Sequence, residues 1–339
     1  MPDTLGIGII GAGRIGRIHA GNIARFIPQA RLEGIADINL NGEQEAWARG
    51  LGARIVSRNP ADLLGDPAVE AVAICSSTDT HADLVIAAAR AGKHIFCEKP
   101  IDLTVAKVKA ALEAAGRGGV KLQIGFNRRF DHNFRRIREL TLAGEIGAVQ
   151  IVRISSRDPA PPPPAYVAVS GGIFIDMMIH DFDMARFQAG SEITEVYAAG
   201  AVLIDPEIGK AGDVDTALVT LRFANGALGV IDNSRKAVYG YDQRVEVFGS
   251  AGAAAAENDL PNTVKLSNAA GVTGEKPLHF FLERYKGAFI DEMIAFTEAV
   301  LEDRAVPVSG EDGLADLYAA LAAGRSLKEK RPVAIAEIR

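Results

Sequence analysis

The sequence predicts a parallel α/β domain followed by an α+β domain, and three observations carry that expectation. Short apolar runs alternate with helical patterns over the first 124 residues. Beyond residue 148 the apolar runs lengthen and follow one another with only short turns between them. A glycine-rich turn, Gly11-Ala12-Gly13-Arg14-Ile15-Gly16, separates the first run from the first helical pattern. Strands alternating with helices make βαβ units, whereas neighbouring strands joined by turns make antiparallel sheets.

In the first part, strand runs fall at Gly6–Ile10, Leu32–Ala36, Arg54–Val56, Val69–Cys75, His94–Cys97 and Leu122–Ile124. Helical patterns near 14–26, 41–51, 80–91 and 104–117 lie between them, with Asp79 or Thr80 a cap for the third and Thr104 for the fourth. Val69–Cys75 is continuously apolar, as expected of a strand covered on both faces. One more helix is expected over Asn133–Ala143, ended by Gly144-Glu145-Ile146-Gly147. Longer strands are then expected at 148–157, 193–203, 214–224, 227–234 and 243–249, with Asn225-Gly226 as the hairpin turn between two of them. The stretch from Pro159 to Pro164 reads as a stiff extended loop, and 284–302 and 310–328 as two final helices. The expected division is 1–124 and 125–339, with the C-terminal helices able to pack back on the first domain.

Composition narrows the function classes. The 339 residues are 48% hydrophobic and 24% charged, ordinary for a soluble globular protein. A net charge of −6 with no long Lys/Arg run argues against nucleic acid as a partner. No run approaches the roughly 18 apolar residues of a membrane-spanning helix. The run Leu5–Ile10 is strand-sized and opens into glycines, unlike a signal peptide, so the cytoplasm is the expected location. Cys75 and Cys97 lie in apolar runs and read as buried reduced thiols.

The glycine turn follows a strand and opens a helix, the context a dinucleotide fingerprint requires. The first glycine permits a tight turn, the second lets the backbone approach a pyrophosphate, and the third lets helix and strand pack closely. The helix N-terminus, with Arg14 and Ile15 in its first turn, supplies N–H donors to phosphate. Asp37 follows Gly16 by about the twenty residues expected of the acidic residue that binds ribose hydroxyls. A carboxylate there repels a 2′-phosphate, and Ile38-Asn39-Leu40 offers no cation to hold one, so NAD is expected over NADP; a flavin is a weaker option.

Ligands in open α/β sheets bind outside the carboxyl ends of strands. Two such ends carry polar residues: Ser76-Ser77-Thr78-Asp79-Thr80-His81, and Cys97-Glu98-Lys99-Pro100. Ser76, Thr78, His81, Glu98 and Lys99 are therefore candidates for the cofactor's surroundings. Helix capping is a competing account of the first group, and a solvated surface lysine of the second. Far along the chain, Gly171-Gly172 leads to Asp176 and His180, four residues apart and expected on one helical face among apolar neighbours. A carboxylate beside an imidazole orients it and raises its basicity, as a general base needs. A satisfied core histidine is the competing account, and a zinc site from the pair lacks third and fourth ligands at local spacing.

Gly11-x-Gly13-x-x-Gly16, then Glu98-Lys99-Pro100, then Gly171-Gly172 with Asp176-x-x-x-His180 resembles, in order and across nearly the whole chain, the Gfo/Idh/MocA oxidoreductases. The inositol dehydrogenases of that family are similar over Ser76–His81, Gly125–Asp131, Ile173–Phe187 and Asn233–Gln243. Ile173 and Met178 depart from many members, which carry another glycine after Gly172 and a small residue at 178. The resemblance implies a Rossmann domain, an open, mainly antiparallel sheet that commonly builds a homotetramer, and Lys99, Asp176 and His180 as the catalytic trio. It also implies Arg129, Asp158 and Tyr239, with Asn127 and Arg157 behind them, as partners for substrate hydroxyls. The implied reaction is NAD-dependent oxidation of a ring alcohol of a cyclitol, myo-inositol to its 2-keto form foremost. Another cyclitol or a sugar (scyllo- or chiro-inositol, glucose, a related pyranose) is the nearest rival. A non-catalytic NAD-sensing regulator is the rival from another class. No metal is expected.

Overall fold

The continuous apolar runs of the first part become strands buried on both faces. In the computed structural model, which describes residues 4–339, two units are distinguished. The first comprises the chain up to Phe130 together with Gly287–Leu317. Its elements are β1 (Leu5–Ile10), α1 (Arg14–Phe26), β2 (Ala30–Ala36), α2 (Gly42–Gly50), β3 (Ile55–Ser57), α3 (Ala61–Leu64), β4 (Ala71–Ile74), α4 (Thr78–Arg90), β5 (His94–Glu98), α5 (Val105–Gly118) and β6 (Leu122–Gly125). The six strands pair in the order β3-β2-β1-β4-β5-β6, every pair parallel. The order reverses between β1 and β4, the kind of switch point at which open α/β sheets bind ligands outside the strands' carboxyl ends.

The C-terminal segment completes this unit's core. Met293 and Phe296 are fully buried in one cluster with Ile7, Ile9, Ile35 and Phe96, and Gln123 Nε2 donates to the Glu292 carbonyl at 2.9 Å. These residues lie on the helix Lys286–Leu301.

The second unit comprises Asp131–Lys286 and Tyr318–Arg339. It contains α6 (His132–Leu142), β7 (Val149–Arg157), α7 (Pro164–Ser170), α8 (Ile179–Ala189), β8 (Ile193–Ala201), α9 (Pro206–Lys210), β9 (Thr216–Phe223), β10 (Leu228–Ser234), β11 (Asp242–Gly249), β12 (Ala253–Ala256), the hairpin β13 (Lys265–Asn268) and β14 (Gly271–Gly274), and α10 (Phe281–Arg284). Then follow α11 (Lys286–Leu301), which lies almost wholly in the first unit, α12 (Gly310–Glu329), divided between the two, and β15 (Val333–Ala334). The sheet order is β12-β11-β7-β10-β9-β8-β15. Alternation sets its faces: Ala217, Val219, Leu221 and Phe223 of β9 are buried while Leu218, Thr220 and Arg222 face out. α8 packs against β7 and α6. On the outer face Phe248, Ile151 and Leu228 are register neighbours across β11, β7 and β10, exposed by 43%, 38% and 47%.

The expected strands and helices appear at their places within a few residues, and Gly226, at φ 87°, makes the expected turn between β9 and β10. The sheet is mainly antiparallel but mixed, because β7 pairs with β10 in parallel. α3, α7, α9, α10, β12, the β13–β14 hairpin and β15 were not anticipated; each is short, and none carries a strong periodic signal. The caps differ too. Ser77 is the N-cap of α4, with Asp79 and Thr80 already inside its first turn. Thr104 stands at the N-cap of α5, but its hydroxyl donates to Asp102 Oδ1 at 2.9 Å.

Candidate active site

The fingerprint turn adopts the geometry its glycines permit. Gly11 has φ 102°, and a side chain there would strike the Cys75–Ser76 backbone at 2.6 Å. A Cβ on Gly16 would sit 1.8 Å from the Gly11 carbonyl oxygen, so the third glycine lets α1 lie against the turn itself. Around Gly13 nothing lies within 4 Å of the added carbon. Gly13 is also the N-cap of α1 and provides no side-chain acceptor for that helix's first N–H groups. Open space beside uncapped, positively polarised donors fits a pyrophosphate.

Asp37 stands at the end of β2, half-buried. Its Oδ2 accepts the Ala12 N–H at 2.6 Å and its Oδ1 the Asn39 N–H at 2.8 Å. The carboxylate thus holds the glycine turn in shape, at the position where the sequence leads one to expect a ribose. Arg14 is exposed and Ile15 half-buried in the first turn of α1.

The other two polar strand ends lie in the same unit. Ser76 Oγ and Thr80 Oγ1 are 2.7 Å apart, and Thr78 is the first residue of α4. His81 is buried, its Nδ1 2.8 Å from the Pro100 carbonyl oxygen and its Nε2 3.0 Å from that of Ser76. It therefore staples the end of β4 to the segment after β5. Lys99 is half-buried and follows Glu98, the last residue of β5; the Lys99–Pro100 peptide is cis. Glu98 Oε1 lies 2.8 Å from His19 Nε2. Asn127 is buried in the short helical turn Asn127–Phe130, and Arg129 Nη2 pairs with Asp312 Oδ1 at 3.0 Å.

In the second unit Asp176 lies within a π-helical stretch, Ile173–Met177, and His180 in the first turn of α8 just beyond it. The two residues therefore do not lie on one continuous α-helix. The Met178 N–H reaches the Ile173 carbonyl at 2.8 Å, one residue further than an α-helical bond. Gly172, at φ 74°, starts the irregular segment, and the Ile173 N–H donates to Asp213 Oδ2 at 2.9 Å. π-bulges recur at functional sites, where they re-aim side chains.

The Asp176 carboxylate is held from two sides. Tyr166 Oη donates to Oδ1 at 2.9 Å, and Arg235 Nη1 donates to Oδ2 at 3.0 Å. Arg235 is 1% exposed, and its Nη2 lies 3.8 Å from Asp213 Oδ2. A buried guanidinium between two carboxylates balances charge that neither side could carry alone. Burial pushes the Asp213 carboxyl up, while its backbone N–H partners and Arg235 pull it down.

Arg157 Nη2 pairs with Asp232 Oδ1 at 2.6 Å, and its Nη1 reaches Tyr239 Oη at 3.1 Å and Asp242 Oδ2 at 3.2 Å. Asp158 is held through its backbone: its N–H donates to the Ser234 carbonyl, and its carbonyl accepts from Ala237. Arg157, Tyr239 and the backbone of Asp158 are thus fixed along the adjoining ends of β7, β10 and β11. Arg235, Tyr166 and Asp213 escaped the sequence reading. Arg235 stands 59 residues from its carboxylate partner, and no local pattern joins them.

Comparison with known proteins follows the same two-part division. Residues 5–126 match the model of an oxidoreductase family with an NAD-binding Rossmann fold, and residues 134–255 that of the GFO/IDH/MocA C-terminal domain. The myo-inositol 2-dehydrogenase of Thermotoga maritima is 52% identical over 332 residues, 98% of this chain and 99% of that protein. The inositol 2-dehydrogenase of Rhizobium meliloti is 48% identical over 98% of this chain and all of that protein. Among solved structures, a probable dehydrogenase from Thermotoga maritima superposes with a TM-score of 0.96 at 51% identity, covering 99% of this chain and 100% of that one. A scyllo-inositol dehydrogenase from Lactobacillus casei with bound NAD(H) and scyllo-inositol gives 0.90 at 33% identity, over 98% and 100% of the two chains. With both halves matched and the likeness running from end to end, this chain belongs to the GFO/IDH/MocA family of NAD-binding oxidoreductases.

Proposed function

We propose that the protein is an NAD-dependent inositol 2-dehydrogenase that oxidises a ring secondary alcohol of myo-inositol to the ketone. The observation that carries this reading is end-to-end likeness to relatives named for that activity, with Lys99, Asp176 and His180 all present. The presence of that trio also weighs against a regulator that merely senses NAD.

When bound, NAD supplies the hydride acceptor, and the protein contributes position and charge. The fingerprint backbone and the first turn of α1 bind the pyrophosphate, and Asp37 the ribose hydroxyls; Ser76, Thr78, His81 and Glu98 border the cofactor. His180 takes the proton of the reacting hydroxyl. Asp176 orients the imidazole, and Tyr166 and Arg235 hold that carboxylate in place. Lys99 donates a hydrogen bond to the reacting oxygen and stabilises its developing negative charge. The remaining hydroxyls are met by Arg129, Asp158 and Tyr239, with Asn127 and Arg157 supporting them.

The outer row Phe248, Ile151 and Leu228 supports assembly with further copies of the chain through the sheet, as a homotetramer. Two buried free thiols suit a reducing compartment, the cytoplasm. A panel of myo-, scyllo- and chiro-inositol and glucose with NAD⁺, read by absorbance of the reduced nicotinamide, tests the substrate. Preference for myo-inositol is expected, and turnover of a sugar alone would overturn the assignment. Light scattering after size exclusion tests the tetramer.

A further inference from the structure

At the end of β5 three titratable side chains from three elements meet, two of them fully buried and Glu98 partly so. His19 of α1 and Glu292 of α11 are each 0% exposed, and Glu98 closes β5. His19 Nε2 lies 2.8 Å from Glu98 Oε1 and 3.9 Å from Glu292 Oε1. The imidazole stands edge-on to Phe96 and Phe289, with centroids 5.0 Å and 5.8 Å away. Its Nδ1 has no hydrogen-bond partner among the described residues, nor has either Glu292 carboxyl oxygen.

Hydrogen-bond satisfaction favours one placement of the protons. A proton on Nδ1 would be a buried donor without an acceptor, so the ring carries its hydrogen on Nε2 and donates to Glu98. A charge on Glu292 would be buried and unpaired, so that carboxyl stays protonated; burial, and then the negative Glu98, push it well above the ordinary carboxyl range. The remaining titratable neighbours, Cys75 and Cys97, are thiols that burial and Glu98 keep un-ionised. Glu98 is the one anion of the cluster, and the next residue along the chain is Lys99.

We propose that His19 and Glu292 are positioning residues that act through Glu98 to hold Lys99 at the end of β5. His19 ties the Glu98 side chain to α1, which fixes the direction in which the strand end delivers the following lysine. Glu292, as a neutral acid, fills the other side of the imidazole without adding a second negative charge. The inference rests on Lys99 as hydrogen-bond donor to the reacting oxygen.

The test uses the full-length enzyme with NAD⁺ and myo-inositol. It compares the wild type with His19→Leu, His19→Gln, Glu292→Gln and Lys99→Met in single-turnover hydride transfer from about pH 6 to 10. NADH affinity is measured in parallel. His19→Leu should slow transfer about tenfold to a hundredfold, as a displaced reacting group does, with NADH affinity held within about threefold. His19→Gln, which keeps an N–H donor near the same place, should restore the rate to within about threefold of wild type. Glu292→Gln, shaped like the protonated acid, should keep the neutral-pH rate. Unchanged transfer in His19→Leu overturns the proposal. So do equal losses in both His19 variants, a loss beyond about threefold in Glu292→Gln at neutral pH, or a stoichiometric divalent ion in the purified protein. Full activity in Lys99→Met would instead sink the role of Lys99, whatever the His19 variants do.

Discussion

The double duty of Asp37 makes Asp37→Asn the most informative single change. Its two oxygens accept backbone N–H groups of Ala12 and Asn39 at 2.6 and 2.8 Å. An amide keeps one acceptor oxygen, so one of these bonds loses its partner, at about 1–3 kcal/mol in the turn. That cost falls on both cofactors alike. The charge does not: a 2′-phosphate about 4 Å from a carboxylate is repelled by roughly 1 kcal/mol in water and 4 kcal/mol at an effective dielectric constant near 20. Half-buried Asp37 lies between these limits, at about 1.4–2.7 kcal/mol, a factor of about 10 to 100. In Asp37→Asn the ratio of kcat/KM for NAD⁺ to that for NADP⁺ should therefore fall about tenfold to a hundredfold. Initial rates with myo-inositol, followed by reduced-nicotinamide absorbance, measure it. A ratio altered by less than about twofold in a variant that melts normally would refute the electrostatic account.

Other changes bear on the rest of the site. Lys99→Ala and His180→Ala should each cut turnover about a hundredfold or more while NAD affinity, measured by fluorescence titration, stays within about threefold. Arg235→Met strips Asp176 of its buried counter-charge and should destabilise the protein by about 3–5 kcal/mol in denaturant titration. Gly16→Ala forces a carbon against the Gly11 carbonyl and should weaken NADH binding about tenfold or more by isothermal titration. Glu292→Gln should stabilise the protein increasingly with pH. The unfolded Glu292 ionises from about 4.5 while the folded one keeps its proton, so wild-type stability is full below that pH and is lost as pH rises toward the folded titration. The variant's advantage should grow as pH rises above about 4.5, read from melts between about pH 5 and 8.

What could be read ahead of the structure is what short stretches encode. The fingerprint's strand, turn and helix follow one another from Leu5 to Phe26, so context alone reveals it, although Gly11 also packs on the Cys75–Ser76 backbone. Alternation along β9 and the Asn225-Gly226 turn are equally local. The parallel β7–β10 pair is not: period-two patterning marks a face but not a neighbour, and β7 joins β10 across a stretch holding two other strands. The irregular turn around Asp176 depends on Asp213, 40 residues away, capturing the Ile173 N–H. Arg235 and Glu292 escaped for the same reason. A buried charge or buried acid is recognised by its partners, and theirs arrive from other elements.

The helix Lys286–Leu301 has a consequence for the order of synthesis. The sheet of the first unit leaves the ribosome early, yet Met293 and Phe296, which fill its core, are made only after roughly 150 intervening residues. At about 5–20 residues per second the nascent half waits roughly 8 to 30 seconds with an apolar flank uncovered. A fragment ending near Phe130 would keep that flank open for good. The cofactor half should therefore be prone to capture by chaperones during translation and poorly soluble when expressed alone.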